Sequence, residues 1–112
     1  TTCKFVFQMD DQEKMEYSQQ VRQHFADTVE AVKKYHAKLL VMDEVLDAVA
    51  MGMLSDEALA EFLRNRPEDL EVVMTGRAPT PCTDPLADYI TRMQKVRHPF
   101  DKGLNARLGV EF

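Results

Sequence analysis

Several groups of residues carry side chains that could do chemistry. Asp43-Glu44 closes the apolar run Leu39-Leu40-Val41-Met42. A carboxylate at the end of such a run is placed to hold Mg2+ directly or through water; the plainer reading is a strand that has to end in something polar. Thr75-Gly76-Arg77 offers a hydroxyl, a residue free to take positive φ, and a fork of donors suited to phosphate. Its plainer reading is a strand-ending turn with a surface arginine. Further on, Arg92, Lys95, Arg97, Lys102 and Arg107 are opposed only by Asp101. That excess of positive charge suits either the edge of a pocket for an anionic ligand or a solvated basic strip. Within it, His98 sits in Arg97-His98-Pro99-Phe100-Asp101, where the proline restricts the backbone before it. Phe5 and Phe7, two apart on a short β-prone run, share one face, for core packing or for a ligand.

Other chemistries are excluded by spacing. The four glycines stand at 52, 76, 103 and 109, and none precedes a Lys-Ser or Lys-Thr pair. These residues therefore contain neither a GxxxxGK[ST] phosphate loop nor a GxGxxG dinucleotide turn. His24 and His36 make no metal-ligand spacing with each other or with a cysteine; His24 reads as a surface residue and His36 as a helix end. No Ser-His-Asp or Cys-His nucleophile arrangement can be drawn. Cys3 and Cys82 are too few for a disulfide framework, and free thiols fit a cytoplasmic protein.

These residues must be positioned by one domain spanning 1–112, with an ordinary 45% apolar fraction. Fourteen basic against nineteen acidic residues give a net charge of −5, which argues against nucleic acid or an anionic membrane as partner. No apolar run approaches the roughly 18 residues of a membrane span, and no signal-peptide pattern opens the chain. Thr1 in place of an initiator methionine suggests a processed or trimmed chain, or a piece of a longer one.

Lys4 to Phe7 reads as a short strand. From about Asp11 to His36 the chain lacks Gly and Pro, and Val21, Phe25, Val29 and Val32 recur at helical spacing, with Met15 upstream. One long amphipathic helix is expected. Lys38 to Met42 reads as a buried parallel strand. A short helix through Val45, Leu46, Val49 and Ala50 then ends at Gly52, and Ser55 caps another that stops at Pro67. Leu70 to Thr75 is the next strand. Asp84 reads as an N-cap with Pro85 at the first helical position of a single turn, and Tyr89 to Met93 forms the last strand. Met42, Met51, Met53, Met74 and Met93 read most simply as core. Alternating strands and helices imply an open, mainly parallel α/β sheet covered by helices, with ligands beyond the carboxyl ends of its strands.

In order, Leu39-Leu40-Val41-Met42-Asp43-Glu44, Arg66-Pro67, Glu71-Val72-Val73-Met74-Thr75-Gly76-Arg77, Ala87-Asp88-Tyr89-Ile90-Thr91-Arg92-Met93, His98-Pro99-Phe100-Asp101-Lys102-Gly103 and Ala106-Arg107-Leu108-Gly109-Val110-Glu111-Phe112 form a pattern. It resembles the C-terminal part of the P-loop-type ATP:corrinoid adenosyltransferases. The resemblance runs from Phe5 onward and is most specific in the tail. It implies a RecA-like P-loop sheet, truncated at its N-terminus, with helices on both faces. It also implies transfer of the 5′-deoxyadenosyl group of ATP to the cobalt of a reduced corrinoid, cobalamin or a precursor. Glu44 would then be the Mg2+ carboxylate of a Walker B-like element, with Asp43 beside it. Phe5 and Phe7 would lie over the corrin, and Thr75, Arg77, His98, Phe100 and Arg107 would line the nucleotide or corrin cavity.

The sequence departs from this pattern in two ways. Val45-Leu46-Asp47 follows the acidic pair where the family usually has a nearby asparagine, and the family's first strand and phosphate loop lie outside these residues. An open sheet seam would favour a homo-oligomer. A non-catalytic corrinoid-binding or assembly module, or a bare structural domain, remain the alternatives to an enzyme.

Overall fold

The computed structural model describes residues 9–97. The Lys4–Phe7 strand, and with it Phe5 and Phe7, lie outside the described residues, as do His98, Phe100 and Arg107. The elements run α1 (Asp11–Tyr35), β1 (Leu39–Met42), α2 (Val45–Ala50), α3 (Asp56–Arg64) and β2 (Glu71–Met74), followed by a 3-10 turn at Asp84–Leu86.

Local chemistry accounts for the ends of α1. The Asp10 carboxylate accepts the Glu13 N–H at 2.7 Å, Asp11 and Glu13 lie in the first turn, and Lys33 and Lys34 lie in the last. Each complements the helix dipole at its own end. His36 ends the helix in the left-handed region at φ 52°. The expected stripe of Val21, Phe25, Val29 and Val32 is the face that packs on the core. Met15 is 62% exposed, so the first turns of α1 reach beyond that core. Ser55 caps α3 by accepting the Ala58 N–H. Gly52, at φ +74°, makes the turn out of α2 that a side chain would strain.

β1 and β2 pair in parallel, in the register Leu39↔Glu71 to Met42↔Met74. The intervening α2 and α3 provide the crossover that a parallel pair requires. Leu40, Met42, Val72 and Met74 alternate onto one face and pack against Val32, Val45, Phe62 and Leu63 from the three helices. Phe25 meets Phe62 edge to face at 5.8 Å between centroids, an arrangement that adds about 1 kcal/mol to plain burial. Leu59 is fully buried at the centre.

Some expectations are corrected. Leu39, Val41 and Val73 are 60, 56 and 46% exposed, so among the described residues helices cover one sheet face and not both, and β1 is half-buried. Residues 89–93 form no strand, and Tyr89 and Met93 are each 93% exposed. A strand exists through its ladder partner, and no third strand lies beside this segment among the described residues. Met51 is likewise exposed with Met93, whereas Met42 and Met53 are buried. The helical turn starts at Asp84 itself, with Thr83 before it as the cap residue. No helix among the described residues is long and apolar enough to cross a membrane.

Truncating Leu59 to alanine should cost about 3 kcal/mol of unfolding free energy, read as a lower midpoint in urea with an unchanged slope.

Candidate functional site

Chain geometry builds the site at the carboxyl ends of the two strands. After Met42 the backbone has two residues, Asp43 and Glu44, in which to turn from β1 into α2. Glu44 makes the turn in the left-handed region, at φ 56° and ψ 19°, a conformation costing about 1 kcal/mol or more for a residue with a side chain. Bonds to the end of β2 hold it there. The Glu44 N–H donates to Thr75 Oγ1 at 2.7 Å, and the Thr75 hydroxyl donates to Asp43 Oδ1 at 2.9 Å. The Thr75 N–H donates to the Met42 carbonyl, and the Leu46 N–H donates to the Thr75 carbonyl, both at 3.2 Å.

Gly76 continues this interlock. A Cβ placed there would lie 2.5 Å from the Leu46 Cβ, so the close approach of the two chains requires glycine. Beyond it, the Arg77 N–H donates to Asp47 Oδ1 at 2.9 Å. Asp47 was not singled out by sequence reasoning, and its signal was there: it is the third residue after the acidic pair, in the stretch where the family pattern departs.

A cleft of about 430 Å3 opens beside Asp43 and Glu44, between α1 and the β1–α2 corner. Its apolar wall includes Val21, Phe25, Leu40 and Met42, and Tyr17, His24 and Thr28 bring polar groups from α1. His24 is exposed, as its sequence position suggests, and it borders the same cleft as the acidic pair. The signal was the spacing 17, 21, 24, 28, a helical stripe flanking the core face. Thr75 and Arg77 do not line this cleft. The structure thus joins Asp43, Glu44 and Thr75 directly, and holds Arg77 to them by its backbone through Asp47.

The donor set at this corner is small. Among the described residues no three His, Cys, Asp or Glu side chains converge as a closed metal cage. Mg2+ does not demand one, since it commonly takes one or two carboxylates and completes its shell with water and substrate phosphates. Glu44 borders the cleft, and its carboxylate accepts no hydrogen bond among the described residues. It fits that limited role.

A second cluster, also missed from sequence, pins the loop after Arg77. Asp56, in the first turn of α3, accepts the Thr80 hydroxyl at 2.5 Å and the Cys82 N–H at 3.1 Å. Thr80 and Thr83 are buried and bonded to each other. Burial pushes the Asp56 carboxyl up, but the hydrogen bonds from Thr80 and Cys82 outweigh it and hold it below the ordinary 3.8. Cys82 donates to Glu57 at 3.5 Å. Its thiol is pushed up to about 11, first by its hydrogen bond with Asp56, then by desolvation and Glu57.

These groups make a small α/β protein whose paired strands present an acidic corner to an open cleft. The chain belongs to the ATP:corrinoid adenosyltransferase BtuR/CobO/CobP family, whose model matches residues 1–112. It is 38% identical over 74 residues to a corrinoid adenosyltransferase of Pseudomonas aeruginosa, covering 66% of this chain and 36% of the relative. It is 31% identical over 74 residues to that of Escherichia coli, covering 66% of this chain and 38% of the relative. With that of Sinorhizobium sp it shares 30% over 84 residues, or 74% of this chain and 39% of the relative. The chain thus spans well under half the length of these relatives. No solved structure gives a significant match.

Gly76→Ala should destabilise the protein by about 1–3 kcal/mol through overpacking against Leu46, measured by urea unfolding; an unchanged midpoint would contradict the close approach. Cys82 should alkylate slowly with iodoacetamide at pH 8, because the thiolate is the nucleophile. Asp56→Asn should speed that reaction at least tenfold by removing the charge that raises the thiol. Because the folded Asp56 carboxyl lies below its unfolded value, its contribution to stability is full above about pH 4 and is lost as pH falls further. Acid unfolding of the Asp56→Asn variant should accordingly be shallower below pH 4 than that of the parent.

Proposed function

We propose that this chain provides the corrinoid- and nucleotide-facing carboxyl-terminal part of an ATP:corrinoid adenosyltransferase. The reaction is attack of Co(I), in cobalamin or a precursor, on the C5′ carbon of ATP. The cobalt electron pair forms the cobalt–carbon bond and the C5′–O bond breaks, releasing triphosphate. The observation that carries this reading is the junction of Asp43-Glu44 with Thr75, at strand ends within a chain that matches the family along its whole length. On this reading the two-stranded sheet is part of a RecA-like P-loop sheet, completed by further residues or by a second copy in a cytoplasmic homo-oligomer.

The residues divide the work as follows. Glu44 holds Mg2+, which when bound offsets negative charge on the phosphates that leave. Asp43 is kept beside it by the Thr75 hydroxyl. Phe5 and Phe7 would supply an apolar aromatic face against the corrin, excluding water and coordinating groups so that the cobalt is easier to reduce. Arg77, with His98, Phe100 and Arg107, presents donors and an aromatic face to the nucleotide or corrin, and Thr75 stands behind the acidic pair.

A non-catalytic corrinoid-binding or assembly module is the second reading, supported by the absence of a GxxxxGK[ST] motif within these 112 residues. Two titrations separate the readings. Mixing with a Co(II) corrinoid should shift the visible absorbance of the corrin, and Phe5→Ala or Phe7→Ala should weaken that binding at least tenfold. An unchanged spectrum would overturn both readings. Heat on titrating MgATP into the chain, alone or with the corrinoid bound, supports the transferase; corrinoid binding without that heat supports the module.

A further inference from the structure

We propose that Thr75 is a positioning residue, a hydroxyl latch that sets two adjacent carboxylates to different tasks. The inference rests on the reading of Glu44 as the Mg2+ carboxylate and adds how that carboxylate is kept available. Three observations carry it.

The first is the backbone. Glu44 has a side chain and sits at φ 56°, in a region such residues avoid unless their surroundings determine it. The second is the direction of the bonds. A threonine hydroxyl has one proton and can both donate and accept. The Glu44 N–H can only donate, so Thr75 Oγ1 accepts from it at 2.7 Å and its own proton goes to Asp43 Oδ1 at 2.9 Å. One side chain thus bridges the backbone of one acid and the carboxylate of the other. The third is the outcome. Both acids line the cleft, but Asp43 has an oxygen occupied by this bond, whereas the Glu44 carboxylate accepts no hydrogen bond among the described residues.

Thr75 itself does not line that cleft, so it acts through the acids and not on a ligand. Without the hydroxyl, the Glu44 N–H loses its partner, and only the backbone bonds between Thr75 and its neighbours Met42 and Leu46 still hold the left-handed turn to β2. The corner can then relax toward an ordinary backbone, which swings the Glu44 carboxylate away from the position the latch gives it. Serine retains the bridging oxygen; valine keeps the shape and removes it.

The test uses the 112-residue chain and Mn2+ as the probe, followed by paramagnetic broadening of backbone amide signals near Glu44. The amide spectrum also reports whether each variant is folded. Wild type should show saturable broadening centred on residues 43–46, and Glu44→Gln should abolish it. Thr75→Val should weaken Mn2+ binding roughly tenfold while its spectrum stays folded, and Thr75→Ser should restore most of the affinity. If Thr75→Val binds Mn2+ like wild type while Glu44→Gln does not, the latch is overturned and the Glu44 reading stands. If Glu44→Gln binds like wild type, the Glu44 reading falls and the latch with it. Should Thr75→Val not fold, the serine variant decides: wild-type affinity supports the bridging oxygen, and a tenfold loss overturns it.

Discussion

The corner between β1 and α2 turns on a single oxygen. Thr75 Oγ1 joins the end of β2 to both residues at the end of β1, and the tight turn into α2 exists because that contact is made. A polar atom bridging two strand ends achieves what apolar packing cannot, since it specifies direction as well as proximity. The glycine beside it lets the chains approach, and Asp47 extends the contact to the Arg77 backbone. The apolar core of Val32, Leu59, Phe62 and Leu63 supplies a rigid base for this corner.

Most of the regular structure was legible because it rests on local rules. Ser55 and Gly52 act where cap and turn chemistry put them, and the valine-phenylalanine stripe of α1 meets the core. The sheet was less legible. An apolar run such as Leu39–Met42 reads as buried on both faces, but burial depends on what covers the strand, and periodicity does not report cover. Residues 89–93 fail for a related reason: β propensity expresses pairing with neighbours, which a single segment cannot supply.

The site was legible in part. Residue type and position drew attention to Asp43, Glu44 and Thr75, and they meet in space. Their division of labour was not legible, because it depends on which way one hydroxyl proton points. Tyr17 was missed, and the place of the surface residue His24 beside the cleft with it, since their helix supplies them by spacing to a cleft visible only once β1 and α2 are in place. Asp56 drew no attention because its partners Thr80 and Cys82 lie 24 and 26 residues away.

The central claim is that the two strand ends form one cooperative unit. Native-state amide exchange measures this directly. The account predicts that the amides of Glu44, Leu46, Thr75 and Arg77 exchange with closely similar opening free energies, as protected as the strands themselves. Glu44 and Arg77 amides exchanging at unprotected loop rates, while the neighbouring strand amides stay protected, would contradict it.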